Sequence, residues 1–129
     1  MRINRIKLIT CLALVVLVII GCTASVWAAP HLEWRTTSVY YSANQLVLSG
    51  YFYNSGTRII DRINSVSANV YFRQYGTDWW LASSATWYDL NVYLYPGDSY
   101  YCNLRINTPY FYKFDYWKVD SVVNYHFSD

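Results

Sequence analysis

A chain of 129 residues has room for one domain and little beside it. Its formal charge of +2 resides at the N-terminus: without Arg2, Arg5 and Lys7 the remainder carries −1, with charges scattered and mixed in sign. No basic patch is left to neutralise a row of phosphates, so nucleic acid is not an expected partner.

The first element is an export segment. Arg2, Arg5 and Lys7 form a positive start, residues 8–20 are almost unbroken apolar and uncharged, and small residues follow. Val26 and Ala28 fit the −3 and −1 positions of a signal-peptidase site, which predicts a signal peptide over 1–28 and a mature domain over 29–129. An uncleaved anchor is the competing reading, although the apolar run is short for a span of about 20 residues. Ile19, Ile20, Gly21 and Cys22 also resemble the lipobox of bacterial lipoproteins. That resemblance implies a lipoprotein signal over 1–21, with lipid on Cys22 tethering the chain to a membrane. Plain secretion is preferred, because the residues after Cys22 lack the polar tether usual in such proteins. Either way the chain is expected to be exported, secreted or held at the cell surface or in the periplasm.

The mature part reads as short alternating runs broken by turn signals, with no helical period. Residues 33–41 give the first strand, turned at Ser42, Ala43 and Asn44. Residues 45–53 give the second, with Leu46, Leu48, Gly50 and Phe52 on one face. Asn54, Ser55 and Gly56 predict a tight turn, since Asn and Gly tolerate positive φ. A third strand starts at 58–63, slips phase at Asn64 and Ser65 through a bulge, and continues to Arg73 with Val66, Ala68, Val70 and Phe72 in register. After a turn over 75–78, residues 79–88 alternate with Trp79, Leu81, Ala85 and Trp87 as the inward set. Leu90, Val92 and Leu94 form a further inward row. Pro96 and Gly97 predict a type II turn. Residues 100–106 follow, with Tyr100, Cys102, Leu104 and Ile106 on one side, and Asn107, Thr108 and Pro109 break them. The last run, 116–127, sets Trp117, Val119, Ser121, Val123, Tyr125 and Phe127 against Lys118, Asp120, Asn124 and His126. About seven strands at this spacing predict an all-β fold, an immunoglobulin-like antiparallel β-sandwich. Cys102 is the one mature cysteine, so no internal disulfide can form; burial of some of the 26 aromatic residues must serve instead.

Residues 46–56 read LVLSGYFYNSG and residues 95–101 read YPGDSYY. A hydrophobic-x-Gly-x-Phe-x-Asn run, a central strand, then Pro-Gly before an aromatic strand resembles the bacterial FxLYD-type and surface-layer-associated (SLAP-type) extracellular domains. The resemblance implies a small β-sandwich on an exported protein.

Catalytic chemistry lacks its residues. His31 and His126 are the only histidines, one near the start of the mature chain and one on the polar phase of the last strand, and no G-x-S-x-G elbow occurs. The aspartates fall among turns and strand ends; Asp78 and Asp98 read as turn residues that bond their own backbone. Zinc-ligand spacing and a calcium loop are missing, so no metal or cofactor is expected. Cys102, on an inward phase, reads as an inert thiol. The informative excess is aromatic. Tyr51, Tyr53, Tyr71, Trp80, Tyr88, Tyr93, Tyr95 and Tyr101 are expected on the outward faces of their strands. Such rings stabilise sheet faces by cross-strand pairing, contact proteins, or stack on sugars. The expected function is a non-catalytic interaction or structural module of the cell envelope, held by a protein partner or by self-association. The alternative is a module binding cell-wall glycan through Tyr51, Tyr53, Tyr71, Trp80 and Tyr88.

Overall fold

The computed structural model describes residues 29–128. The leader, cleavage after Ala28 and lipidation at Cys22 lie outside the described residues. Six strands form: β1 (Leu32–Ser42), β2 (Gln45–Asn54), β3 (Ile60–Arg73), β4 (Trp80–Leu90), β5 (Ser99–Asn107) and β6 (Tyr116–Phe127). They make two antiparallel three-stranded sheets, ordered β1-β2-β5 and β4-β3-β6. β1 and β2, and likewise β3 and β4, are hairpins within one sheet; the other connections cross between sheets. This is the immunoglobulin-like order, with strands in the places of A, B and E on one sheet and C′, C and F on the other.

Period-two alternation builds the core. Leu46, Leu48 and Phe52 of the first sheet face Ile60, Ile63, Val66, Val70 and Phe72 of the second, all essentially inaccessible to water. Each such side chain contributes about 1.5–3 kcal/mol through burial. Trp34 packs on Phe52 with ring centroids 4.8 Å apart, and its indole N–H donates to Thr36 Oγ1 at 2.7 Å. The inward row of β6, beside β3 in the second sheet, packs on the same core, as the alternation predicts. The bulge predicted near Asn64 is present as a register shift between Ile63 and Ser65 against β6. The predicted turn at Gly97 also forms: φ is +88° and Asp98 N donates to Tyr95 O at 2.9 Å.

Three sequence expectations are corrected. The chain has six strands rather than seven, because β4 ends at Leu90 after Asp89 adopts φ +55°. Leu90, Val92 and Leu94 do face the core, but they form no strand of their own: Leu90 ends β4 opposite Ile63, and Leu94 makes an isolated bridge, exchanging two backbone bonds with Ile60. Asn54 and Gly56 do not make a positive-φ hairpin. Asn54 is the fully buried last residue of β2, and the chain then crosses to the other sheet. Glycine is needed at 56 because a Cβ would lie 2.4 Å from Ala29 O and His31 N. Finally, a bulge in β4 skips one residue between the pairs Val70–Ser83 and Tyr71–Leu81. The alternation therefore flips. Trp80 pairs with Phe72 on the inward side, while Leu81, expected inside, is exposed beside Tyr71.

Candidate contact surface

Three connections meet at one end of the sandwich: the β1–β2 turn, the β3–β4 turn and the loop 108–115 between β5 and β6. Ala43 and Asn44 both take positive φ, which closes β1–β2 as a two-residue hairpin. The β3–β4 turn holds Gly76 at φ +82°, and Thr77 N donates to Gln74 O. The long loop is tied to both. Thr108 N donates to Asn44 O, Tyr112 N to the Tyr41 hydroxyl, Asp115 N to Arg73 O, and Asp115 Oδ2 accepts from Tyr75 N at 2.7 Å. Residues 29–31 and Ser128, the last described residue, lie at the other end, with the 55–59 and 91–98 connections.

The joined loops gather rings. Phe114 anchors the loop by stacking on buried Phe72, centroids 4.0 Å apart and planes within 14°. Beyond it, Tyr112 meets Trp80 edge-on at 5.0 Å and stacks on Tyr110 at 5.9 Å, while Phe111 meets Tyr41 edge-on at 5.1 Å. Tyr75, Tyr110 and Phe111 are 83%, 62% and 58% exposed, and Tyr112, Tyr116, Trp79 and Trp80 also reach water. At roughly 200 Å² per ring, Tyr75, Tyr110, Phe111, Tyr112 and Trp80 leave about 550 Å² of exposed aromatic surface at this end, at the upper end of the roughly 300–600 Å² of the largest apolar patch on an ordinary monomer.

Several rings on the sheet faces are arranged differently, because cations cover them, whereas Tyr88 and Tyr101 stand open. On the outer face of β4-β3-β6, the Arg73 guanidinium lies 4.6 Å from the Tyr116 ring and 5.3 Å from Trp79. Lys118 lies 4.8 Å from Trp79 and 5.2 Å from Tyr71. Nε of Arg73 is shielded there with no hydrogen-bond acceptor, so ring faces take the place of one. On the outer face of β1-β2-β5, Arg35 sits 4.9 Å from the Tyr53 ring and 6.0 Å from Tyr51, and Tyr51 contacts Tyr101. Hydrogen bonding to Tyr51, and then to Glu33, lifts the Arg35 guanidinium above its ordinary value.

Of the candidate residues read from the sequence, Tyr51 and Tyr53 share one outer face, and Tyr71 and Tyr88 belong to the opposite one. Trp80, expected outward, lies on the inward side at the aromatic end. The structure does not bring the five together. Sequence reasoning passed over Tyr75, Trp79, Tyr110, Phe111 and Tyr112. A signal was there: four of residues 110–114 are aromatic in a stretch with no strand pattern, where β-propensity cannot account for them.

Other groups offer less. His31, near the start of the described chain, is tied down: its Nδ1 lies 2.6 Å from Ser55 Oγ and 3.9 Å from Glu33 Oε1. Both partners meet the same nitrogen, so the order carboxylate–imidazole–hydroxyl, which uses both, is not formed. His126 Nδ1 meets Asp61 Oδ1 at 2.6 Å in a shallow depression near the C-terminus. Asp98 Oδ2 accepts from Tyr95 N, the turn role expected of it. Cys102 is half-buried in a groove of about 520 Å³ between the β4 and β5 edges, lined also by Trp87, Leu90 and Tyr100, and burial pushes its thiol pKa up. Among the described residues no group of three or more His, Cys, Asp or Glu side chains is placed to hold a metal ion. No helix among them is long and apolar enough to cross a membrane. Fold and surface together define a small antiparallel β-sandwich with one aromatic end. Comparison with family models, curated proteins and solved structures found no match.

Proposed function

We propose that this chain is an exported, non-catalytic interaction module of a bacterial cell envelope, and that it makes contact through its aromatic end. The observation that carries the reading is the set of rings held in water where the 108–115 loop is bonded to the β1–β2 and β3–β4 ends, at the opposite end from residues 29–31. Aromatic side chains dominate the energetics of protein contacts, and the largest exposed apolar patch of a monomer is often its functional surface. The kinship with FxLYD-type and SLAP-type domains belongs to this proposal and rests on the turn motifs. The test is retention of the purified protein on cell-envelope fractions. Replacing Tyr110, Phe111 and Tyr112 with serine is expected to abolish retention while the fold survives; unchanged retention refutes the assigned surface. N-terminal mass spectrometry of the exported protein separates a start at Ala29 from a diacylglyceryl group on Cys22.

A glycan-binding alternative finds its support in Tyr51, Tyr53 and Tyr101, which form a compact ring group on one sheet face, with Tyr101 well exposed. Retention on purified cell-wall glycan that is lost with Tyr51→Ala and Tyr101→Ala, and kept with the loop variant, would favour it.

A further inference from the structure

We infer that the outer face of β4-β3-β6, next to the β3–β4 turn, binds one acidic sugar of a glycan, with Arg73 and Lys118 holding its carboxylate and Asp120 its hydroxyls. This goes beyond the contact reading of the loops and uses none of Tyr110, Phe111 or Tyr112. Alternate residues of β3 set the site out in rows: Arg73 pairs with Tyr116, Tyr71 with Lys118 and Leu81, and Asn69 with Asp120 and Ser84. Both cations lean on one ring. The Arg73 guanidinium and the Lys118 ammonium lie 5.3 and 4.8 Å from the centre of Trp79. Gathering two like charges has a Coulomb cost that ring faces offset only in part, and an anion between them relieves it. Among the described residues neither head group has a carboxylate partner. Asp120 is two positions from Lys118 on the same face, yet Lys118 turns to Trp79 and Tyr71 instead. Nε of Arg73 is shielded, so its two Nη groups are the donors left for a ligand. A guanidinium stacked on rings and offering two parallel donors matches a carboxylate. The charges nearby decide against a polyanion. Asp78 and Asp115 precede Trp79 and Tyr116, and Lys113 stands in the same loop as Asp115, so Arg73, Lys118 and Lys113 are balanced by Asp78, Asp115 and Asp120. Nucleic acid, an anionic membrane or a run of acidic residues would meet as much repulsion as attraction there. A ligand with one negative group followed by hydroxyls does not. Asp120 forms no ion pair among the described residues and can accept hydroxyl protons. It lies about 7 Å along the strand from Lys118, a distance one hexose unit spans. Ser84 and Asn69, bonded to each other at 2.7 Å, add polar atoms to its row, and exposed Leu81 offers apolar surface to the C–H face of a sugar.

The test is calorimetric titration of the purified protein with an oligosaccharide of uronic acids, beside its uncharged methyl ester and a poly-glutamate peptide. The uronate is expected to bind and the ester not, and binding is expected to weaken as salt rises from roughly 50 to 500 mM. Lys118→Gln and Asp120→Asn, both at exposed side chains, are each expected to raise the dissociation constant about tenfold, as for a lost charge-assisted bond. Arg73→Lys, which keeps the charge and loses the fork, is expected to weaken binding as well. Thermal melts show that each variant folds. Tyr110→Ser, Phe111→Ser and Tyr112→Ser together are expected to leave the titration unchanged, so this site and the loop contact surface fail separately. No binding of the uronate, equal binding of the ester, or tighter binding with Asp120→Asn overturns the inference. Tighter binding with Asp120→Asn together with capture of the glutamate peptide assigns the face to an acidic protein segment instead.

Discussion

Replacing Asn54 with alanine is expected to cost about 2–4 kcal/mol of folding stability, although the sequence marks Asn54 only as a turn residue. Its side chain is wholly buried. Nδ2 donates to Arg58 O at 2.8 Å and to Leu94 O at 2.9 Å, and Oδ1 accepts from Gly56 N at 3.0 Å. One amide thus joins both crossover connections at the base of the sandwich. Truncation removes all three bonds. The bonds to Gly56 and Arg58 are only partly buried, so water can replace Asn54 there, at about 1 kcal/mol each. The bond to Leu94 is buried, but Leu94 O keeps the Ile60 N–H at 2.9 Å, so its loss costs one ordinary bond, about 0.5–1.5 kcal/mol. For a domain of this size the melting temperature then falls by about 10–25 °C. Urea unfolding followed by tryptophan fluorescence measures the change as a lower midpoint at unchanged slope. Asn54→Asp sharpens the test. It keeps the acceptor for Gly56 but turns a carboxylate oxygen toward two carbonyls, so at neutral pH it is expected to cost at least as much as alanine. A loss below about 1 kcal/mol for both variants would mean that Asn54 merely fills space, and would refute the reasoning.

Gly50→Ala is expected to destabilise by about 3 kcal/mol or more, because a Cβ would stand 2.1 Å from Arg35 O where β1 bulges; the same urea titration reads it. Ala43→Gly is expected to stabilise by roughly 0.5 kcal/mol, since Ala43 holds φ +51°, and relief of left-handed strain slightly exceeds the added unfolded-state entropy. Burial raises the Cys102 thiol, so the native state keeps its proton at a pH where the unfolded chain has lost it. This contribution is therefore complete below the ordinary thiol range, near about 8.5, and declines as pH climbs from there toward the raised native value. Cys102→Ser is expected to flatten that alkaline decline in melting temperature. Alkylation of native Cys102 by iodoacetamide is expected to be slower than that of the urea-unfolded chain at the same pH.

Alternation exposed the strands because the sandwich interior obeys it: Leu46, Leu48 and Phe52, then Val66, Val70 and Phe72, are where a period of two places them. It failed in β4 for a local reason. The bulge there carries Ala82 and Ser83, with no glycine to announce it, and one skipped residue exchanged Trp80 with Leu81. The candidate aromatic set failed for a non-local reason. Alternation tells which side of its own strand a residue takes, but not which sheet the strand joins. Tyr51 and Tyr71 both point outward, yet from sheets stacked about 10 Å apart and in opposite directions. Asn54 shows a third limit. A turn-forming residue type was recognised, but its burial depends on Leu94, forty positions away.

The aromatic excess divides between two uses, and geometry separates them. A cation held over a ring occupies that face and contributes about 0.5–1 kcal/mol at an exposed site. Tyr53 under Arg35, Tyr116 under Arg73, and Trp79 beside Arg73 and Lys118 therefore serve largely as internal partners of their own sheets. Phe114 is likewise committed, stacked on Phe72. Tyr110 and Phe111 touch neighbouring rings but carry no cation, and more than half of each remains in water. Holding them there has a cost: the loop that carries them is ordered by hydrogen bonds from Tyr112 N to the Tyr41 hydroxyl and from Asp115 N to Arg73 O. Those bonds fix the loop's shape without burying its outermost rings. An ordered loop that leaves its rings exposed forgoes burial in the monomer, and contact with another surface is where that burial can be recovered.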